Sequence, residues 1–204
     1  MSISEVTKVI SFDCDGTITD MSFADSVWLE GIPRHYASKH NISIEEAKLR
    51  VRSEYDKIGK EKLEWYNPTY WIDKFGLNLA INEILEAFKD RIKTFPDVPE
   101  TLEKLKRRHK LIVTTNARRE FVELQLEKVG FMDHFEQIFS ATSDFGLTKN
   151  NPDLFGKVCK AAEVFPNEMV HIGDDFIFEL RITITKSAKK SSATICLFSP
   201  NISV

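Results

Sequence analysis

Asp13 and Asp15 stand one residue apart at the end of the apolar run Val9-Ile10-Ser11-Phe12, with Gly16 and Thr17 directly behind them. Paired carboxylates can divide a displacement between them. One attacks a phosphorus or carbon centre, the other moves a proton, and a divalent cation offsets their repulsion. Asp-Gly is also an ordinary turn dipeptide, so on its own the pair fits a turn as well as a site. Further along, Thr115-Asn116, Lys149 and Asp174-Asp175 add a hydroxyl, an amide, an ammonium and two more carboxylates.

Each of these types has a use in phosphoryl transfer. Asp13 can attack as nucleophile and form an aspartyl-phosphate. Asp15 can protonate the leaving alcohol and then deprotonate the attacking water. Mg²⁺ suits an all-oxygen site with a carboxylate or two, so Asp174 reads as a metal ligand with Asp175 or Glu179 assisting. Thr115 and Asn116 can donate hydrogen bonds to phosphate oxygens, and the Lys149 ammonium can offset the charge on the phosphate and on Asp13. Thr114 is the alternative hydroxyl, since neighbouring strand residues face opposite ways, and the Thr115-Asn116 pairing favours Thr115. Lys149 also fits a solvated surface lysine. His171, inside an apolar run, reads as a packed core histidine rather than a base.

These groups work together only if the fold gathers them. Val9–Phe12, 111–115, 137–140, 169–172 and 194–198 read as short buried strands, and helical patterns alternate with them from Phe95 onward. Such alternation predicts a parallel sheet covered on both faces, whose strand ends lie on one edge. Asp97 to Glu100 predicts a capped helix start, Arg118 to Val129 a helix closed by Gly130, and Asn151-Pro152 another start. Phe176 to Ser192 fits strand and helix alike. Between the first two strands lies a helical segment of roughly seventy residues, too small for a full domain by size. All three Trp and all four Tyr fall in it, between Trp28 and Trp71, and read as a small core, with the alternative that some of these rings face a cleft and shape a substrate pocket. One helix runs near Phe23–Tyr36, interrupted around Gly31 and Pro33. Another starts at a capping box of Ser43 and Glu46 and ends near Gly59. Pro68–Phe75 and Ile81–Arg91 are further helical stretches. Arg34, His35, Lys39, Lys62 and Glu64 are substrate-contact candidates there, and none stands out.

The 204 residues are 42% hydrophobic and 29% charged, enough for a sizeable core, and a net charge of −3 gives no reason to expect nucleic acid. The basic run Lys106–Lys110 falls at a helix C-terminus, where the dipole favours cations. No apolar stretch reaches the roughly 18 residues of a membrane span, and residues 1–5 lack a signal-peptide pattern. Cys14, Cys159 and Cys196 are scattered and odd in number, which points to buried thiols and a cytoplasmic protein.

Four motifs occur in an order that resembles the haloacid dehalogenase (HAD) superfamily. They are Asp13-Cys14-Asp15-Gly16-Thr17 with Asp20, then Thr115-Asn116, then Lys149 with Pro152 and Phe155, then Gly173-Asp174-Asp175 with Glu179. The resemblance covers residues 6–19 and 93–180, and the insert is similar to the helical C1-type cap of that superfamily. Phe95-Pro96-Asp97-Val98-Pro99 through Gly130-Phe131 resembles its phosphoglycolate phosphatase-like branch. The likeness implies a Rossmann-like core, residues 1–19 and 93–204, and an all-helical cap, residues 20–92, that closes over substrate. It also implies that Mg²⁺ touches Asp13, Asp174 and the backbone carbonyl of Asp15. Asn150-Asn151 stands where Pro often follows the Lys, Glu179 where Asp is usual, and the segment behind it is longer than the common pattern.

The expectation is a Mg²⁺-dependent phosphatase of a small phosphorylated metabolite, with neither nucleic acid nor membrane as partner. Halide departure needs no proton, so Asp15 disfavours a dehalogenase. A phosphomutase would keep all four motifs. A phosphonate hydrolase would need a cap lysine of lowered pKa, and Lys39, Lys48, Lys57, Lys60, Lys62 and Lys74 cannot be ranked. A non-catalytic phosphate sensor would not require the Asp13/Asp15 pair.

Overall fold

A computed structural model of the chain describes residues 7–174 and the backbone of the strand at 194–197. The chain divides into two compact units, residues 1–20 with 94–204, and residues 21–93.

The first unit is a Rossmann-like α/β core. Its strands are β1 (Val9–Phe12), β2 (Lys110–Thr115), β3 (Gln137–Ser140), β4 (Met169–Gly173) and β5 (Thr194–Leu197). They pair in parallel in the order β3-β2-β1-β4-β5. The register sets Phe12 opposite Val113 on one side and Ile172 on the other. Strands with both faces covered read as near-continuous apolar runs, which is why these segments carry so few polar residues. Ile10, Phe12, Leu111, Val113, Val170 and Ile172 pack on one face with Leu102, Val122 and Leu126. Val9, Ile112 and Met169 pack on the other with Leu154, Phe155 and Val158. Each such side chain, fully buried, stabilises the fold by about 1.5–3 kcal/mol.

The helices that cover the core are α6 (Val98–Leu105), α7 (Arg119–Val129), a single turn α8 (Ala141–Asp144) and α9 (Leu154–Ala161), counted after five in the second unit. Gly130 closes α7 with a left-handed backbone, φ 76°. One helix cap and one helix start differ from the sequence expectation, while α6 itself begins where expected, directly after Asp97. Asp97 has a helical backbone and makes no side-chain cap, while Glu100 pairs with Lys104 at 2.6 Å. The chain at Asn151 and Pro152 is a turn, with Asn151 Oδ1 accepting from the Asp153 N–H at 2.9 Å, and α9 begins at Leu154.

The second unit is all helical: α1 (Ser22–Asp25), a π-helical stretch Ser26–Gly31, α2 (Ile32–His40), α3 (Ile44–Ile58), α4 (Pro68–Lys74) and α5 (Ile81–Phe88), with short 3-10 turns between. The expected break near Gly31 and Pro33 is a change of hydrogen-bond register instead. The Ile32 N–H reaches the Val27 carbonyl, and the helix continues. Gly31 is there for contact, because a Cβ would lie 2.6 Å from Ile84 of α5. Ser43 caps α3 by accepting from the Glu46 N–H at 3.2 Å. The Glu46 side chain turns to Arg50 at 2.5 Å, so only half of the expected box forms. Ala47, Val51 and Tyr55, four residues apart, make the buried face of α3. Tyr55 meets Trp71 edge-on at 4.6 Å, and this aromatic pair is a core for the unit.

Candidate active site at the carboxyl edge of the sheet

The chain builds outward from β1 to β2 and β3, then returns to add β4 on the far side of β1. Ligands in such sheets bind beyond the strand ends at this reversal. Asp13 follows β1 and Asp174 follows β4, so they flank the reversal, while Thr115 ends β2.

Asp13 is buried, and every oxygen of its carboxylate is engaged. Oδ1 accepts from the Cys14 N–H at 2.7 Å, Oδ2 accepts from the Lys149 ammonium, and the Thr115 hydroxyl also bonds to the group. Its own N–H donates to the Ile172 carbonyl at 2.8 Å, which ties the start of the loop to β4. Burial alone would raise its pKa. That is the largest single influence, but the charges of Lys149 and His171 and the side-chain bonds from Lys149 and Thr115 together outweigh it, and the carboxyl sits below its ordinary range. Asp13 is therefore an ion held among donors, in a state fit to attack.

Lys149 is 2% exposed, so it is no surface lysine. Its main-chain N–H donates to Asn116 Oδ1 at 2.7 Å, which ties the lysine loop to the end of β2. Thr142 in turn donates to the Asn116 carbonyl at 3.1 Å. The amide oxygen of Asn116 is thus committed to the protein, and its NH₂ is the part suited to phosphate. Thr114 points to the opposite face, where Ser11 donates to it at 2.8 Å and lies 2.9 Å from His171 Nδ1. His171 is a buried residue whose ring packs 4.8 Å from that of Phe155.

The loop from Cys14 to Thr19 is tight. The Cys14 carbonyl accepts from the N–H groups of Thr17, Ile18 and Thr19, and the Gly16 N–H donates to the Thr19 carbonyl at 2.7 Å. Gly16 has φ +78°, and a Cβ there would fall 2.2 Å from Asp174 Oδ2. Only glycine lets this loop approach the Asp174 carboxylate so closely. Asp15 turns its side chain toward α7, where Gln125 Nε2 donates to Oδ1 at 3.0 Å. Burial pushes the Asp15 pKa up to about 7; Gln125 opposes this, and the charges of Asp13 and Asp174 add to it.

Gln125 was not among the residues that the motifs select. Its signal in the sequence is a polar side chain on the apolar stripe of α7, between Phe121, Val122 and Leu126.

Among the described residues, no three His, Cys, Asp or Glu side chains form a ready metal cage. The donor chemistry nonetheless fits Mg²⁺. Asp13 and Asp174 bring carboxylates and Asp15 a backbone carbonyl, an all-oxygen set of high negative charge. Asp175 and Glu179, the expected assistants, lie outside the described residues, as does the ambiguous stretch 176–192.

A family model described as "haloacid dehalogenase-like hydrolase" matches residues 7–177. The chain is 27% identical over 166 residues to the GMP/IMP nucleotidase YrfG of Escherichia coli (strain K12), covering 81% of this chain and 73% of that protein. Its structure resembles a HAD phosphatase from Thermococcus onnurineus at 25% identity and TM-score 0.80, over 97% of this chain and 89% of that one. An L-2-haloacid dehalogenase from Xanthobacter autotrophicus shares the fold at TM-score 0.58 and 16% identity, over 94% of this chain and 76% of that one. Among the described residues, no helix is long and apolar enough to cross a membrane.

Proposed function

The chain belongs to the haloacid dehalogenase-like hydrolase family and is a phosphoric monoester hydrolase; we propose that it works through an aspartyl-phosphate on Asp13, with Mg²⁺, on a small phosphorylated metabolite. The observation that carries this reading is the buried Lys149–Asp13 pair, with Thr115 bonded to the same carboxylate. It holds an ionised nucleophile where a phosphate would find a cation and a hydroxyl beside it.

In the first half of the reaction an Asp13 oxygen bonds to phosphorus and the bond to the leaving oxygen breaks. That oxygen takes the proton of the Asp15 carboxyl and departs as an alcohol. In the second half a water attacks the same phosphorus, gives its proton to Asp15, and releases phosphate and the free Asp13 carboxylate. A carboxyl whose pKa lies near 7 is suited to both tasks. Lys149, Thr115 and the Asn116 amide hold the phosphate oxygens. Mg²⁺, held by Asp13, Asp174 and the Asp15 carbonyl, would offset negative charge on the phosphoryl group.

The helical unit is assigned the choice of substrate, since the core offers groups for the phosphate alone. Likeness to a GMP/IMP nucleotidase puts purine nucleoside monophosphates first among the candidates. The phosphonate alternative loses ground at three of its lysines. Lys39 donates to the Phe75 and Gly76 carbonyls, and Lys57 and Lys74 both pair with Glu54. A cytoplasmic setting fits a metabolite phosphatase with two buried free thiols, Cys14 and Cys159.

The test is a panel of phosphate esters that includes GMP and IMP, run with and without Mg²⁺ and beside Asp13→Asn. Phosphate release that needs Mg²⁺ and Asp13 supports the reading. Release that survives Asp13→Asn, or tight phosphate binding with no turnover, sinks it.

A further inference from the structure

Deepening the acid/base reading of Asp15, and resting on it, the geometry points to Gln125 as the residue that positions the Asp15 carboxyl, with Thr19 fixing the orientation of Gln125. Gln125 and Thr19 are both fully buried, at 0% exposure. Gln125 Nε2 donates to Asp15 Oδ1 at 3.0 Å, and its Oε1 accepts from the Thr19 hydroxyl at 2.7 Å. Both ends of one amide are thereby engaged, one by the carboxyl that moves protons and one by its own loop.

The arrangement is specific in three ways. A glutamine on the face that α7 turns to the core, beside Val122 and Leu126, is costly to bury unless its polar atoms are satisfied. An apolar side chain of the same length would pack there as well or better, so packing does not call for an amide. The amide oxygen must also face away from Asp15 when that group is ionised and ready to take a proton, because two acceptors would oppose each other. The Thr19 hydroxyl selects that orientation. Thr19 is itself held by the loop it serves. Its N–H donates to the Cys14 carbonyl at 3.1 Å, and it bridges to Thr94, the first residue after the helical unit. The relay Thr19–Gln125–Asp15 thus ties the carboxyl to α7 and to the base of its own loop.

Gln125 does not touch the reacting atoms, so it acts through Asp15. Misplacement of a catalytic group by about 1 Å can cost on the order of 100-fold in rate. A carboxyl free to turn should lose most where the leaving group most needs its proton. The test compares phenyl phosphate, a poor leaving group, with acetyl phosphate, a good one, at saturating Mg²⁺, in Gln125→Met, Thr19→Val, Thr19→Ser and Asp15→Asn. Folding is checked by thermal melting.

Expected for Gln125→Met is a kcat for phenyl phosphate lower by about 10- to 100-fold, a far smaller loss on acetyl phosphate, and KM little changed. Thr19→Val should show the same split more weakly, and Thr19→Ser, which keeps the hydroxyl, should restore wild-type rates. If Asp15→Asn shows the split and a folded Gln125→Met does not, the positioning role is overturned while the acid/base role stands. If Asp15→Asn loses both substrates equally, the acid/base reading itself has failed. If Gln125→Met does not fold, Thr19→Val against Thr19→Ser decides, and equal rates in those two overturn the relay.

Discussion

The Lys149 ammonium lies against the Asp13 carboxylate inside the protein, with side chains only 2% and 10% exposed. A buried pair of this kind is a poor stabiliser compared with apolar packing. Removing one partner, however, strands a charge and costs about 3–5 kcal/mol. The pair thus ties the stability of the core to the charge state of the Asp13 carboxyl.

Lys149→Met should therefore destabilise the protein by about 3–5 kcal/mol at neutral pH and lower kcat by at least about 100-fold. The loss should depend on pH. In the native protein the Asp13 pKa is depressed, so its contribution is present above the unfolded value and fades as pH falls through the folded one. Without Lys149, burial dominates and raises that pKa, so the variant loses stability as pH rises. Denaturant unfolding at pH 7.5 and pH 4.5 should show a gap that narrows in acid. A gap of constant size would contradict the coupling.

Asp15→Asn should slow ester hydrolysis by about 100- to 10,000-fold, the usual worth of an acid/base group, and spare acetyl phosphate better. It should also stabilise the metal-free protein at pH 8. The folded carboxyl, raised to about 7, binds protons that the unfolded chain releases near 4, so native stability falls as pH rises between those values. The amide has no such titration. A gain of at least about 1 kcal/mol is expected at pH 8 and none at pH 3, a pKa unit being worth about 1.4 kcal/mol.

Gly16→Ala sets a Cβ 2.2 Å from Asp174 Oδ2 and strains a backbone at φ +78°. The loop or the Asp174 carboxylate must shift. Fold stability should drop by about 1–3 kcal/mol, while the Mg²⁺ concentration for half-maximal activity should rise about 10- to 100-fold. A Mg²⁺ titration with an unchanged midpoint would remove Asp174 from the metal site.

Much of this was legible in the sequence because a parallel sheet hides both faces. Runs such as Leu111-Ile112-Val113 and Gln137-Ile138-Phe139-Ser140 fall on β2 and β3 for that reason. The motif residues were legible because each sits where a strand ends or a helix is about to begin. Gln125 was not, because its meaning lies in a partner 110 positions away. Helix starts were harder for a local reason. A capping side chain needs an extended backbone behind it, which Ser43 has at ψ 155° and Asp97, at ψ −14°, lacks. Pro33 misled for another. Its missing N–H breaks a regular α-helix, but the π-helical stretch before it shifts the hydrogen bonds and carries the helix through.

The most direct measurement is to trap the phosphoenzyme. The protein is mixed briefly with a ³²P-labelled monoester that it hydrolyses, quenched in acid, digested, and mapped. Asp13 as nucleophile requires label on the peptide that contains Asp13, removable by hydroxylamine and absent from Asp13→Asn. Phosphate released at full rate with no label on the protein, or label that persists in Asp13→Asn, would contradict it.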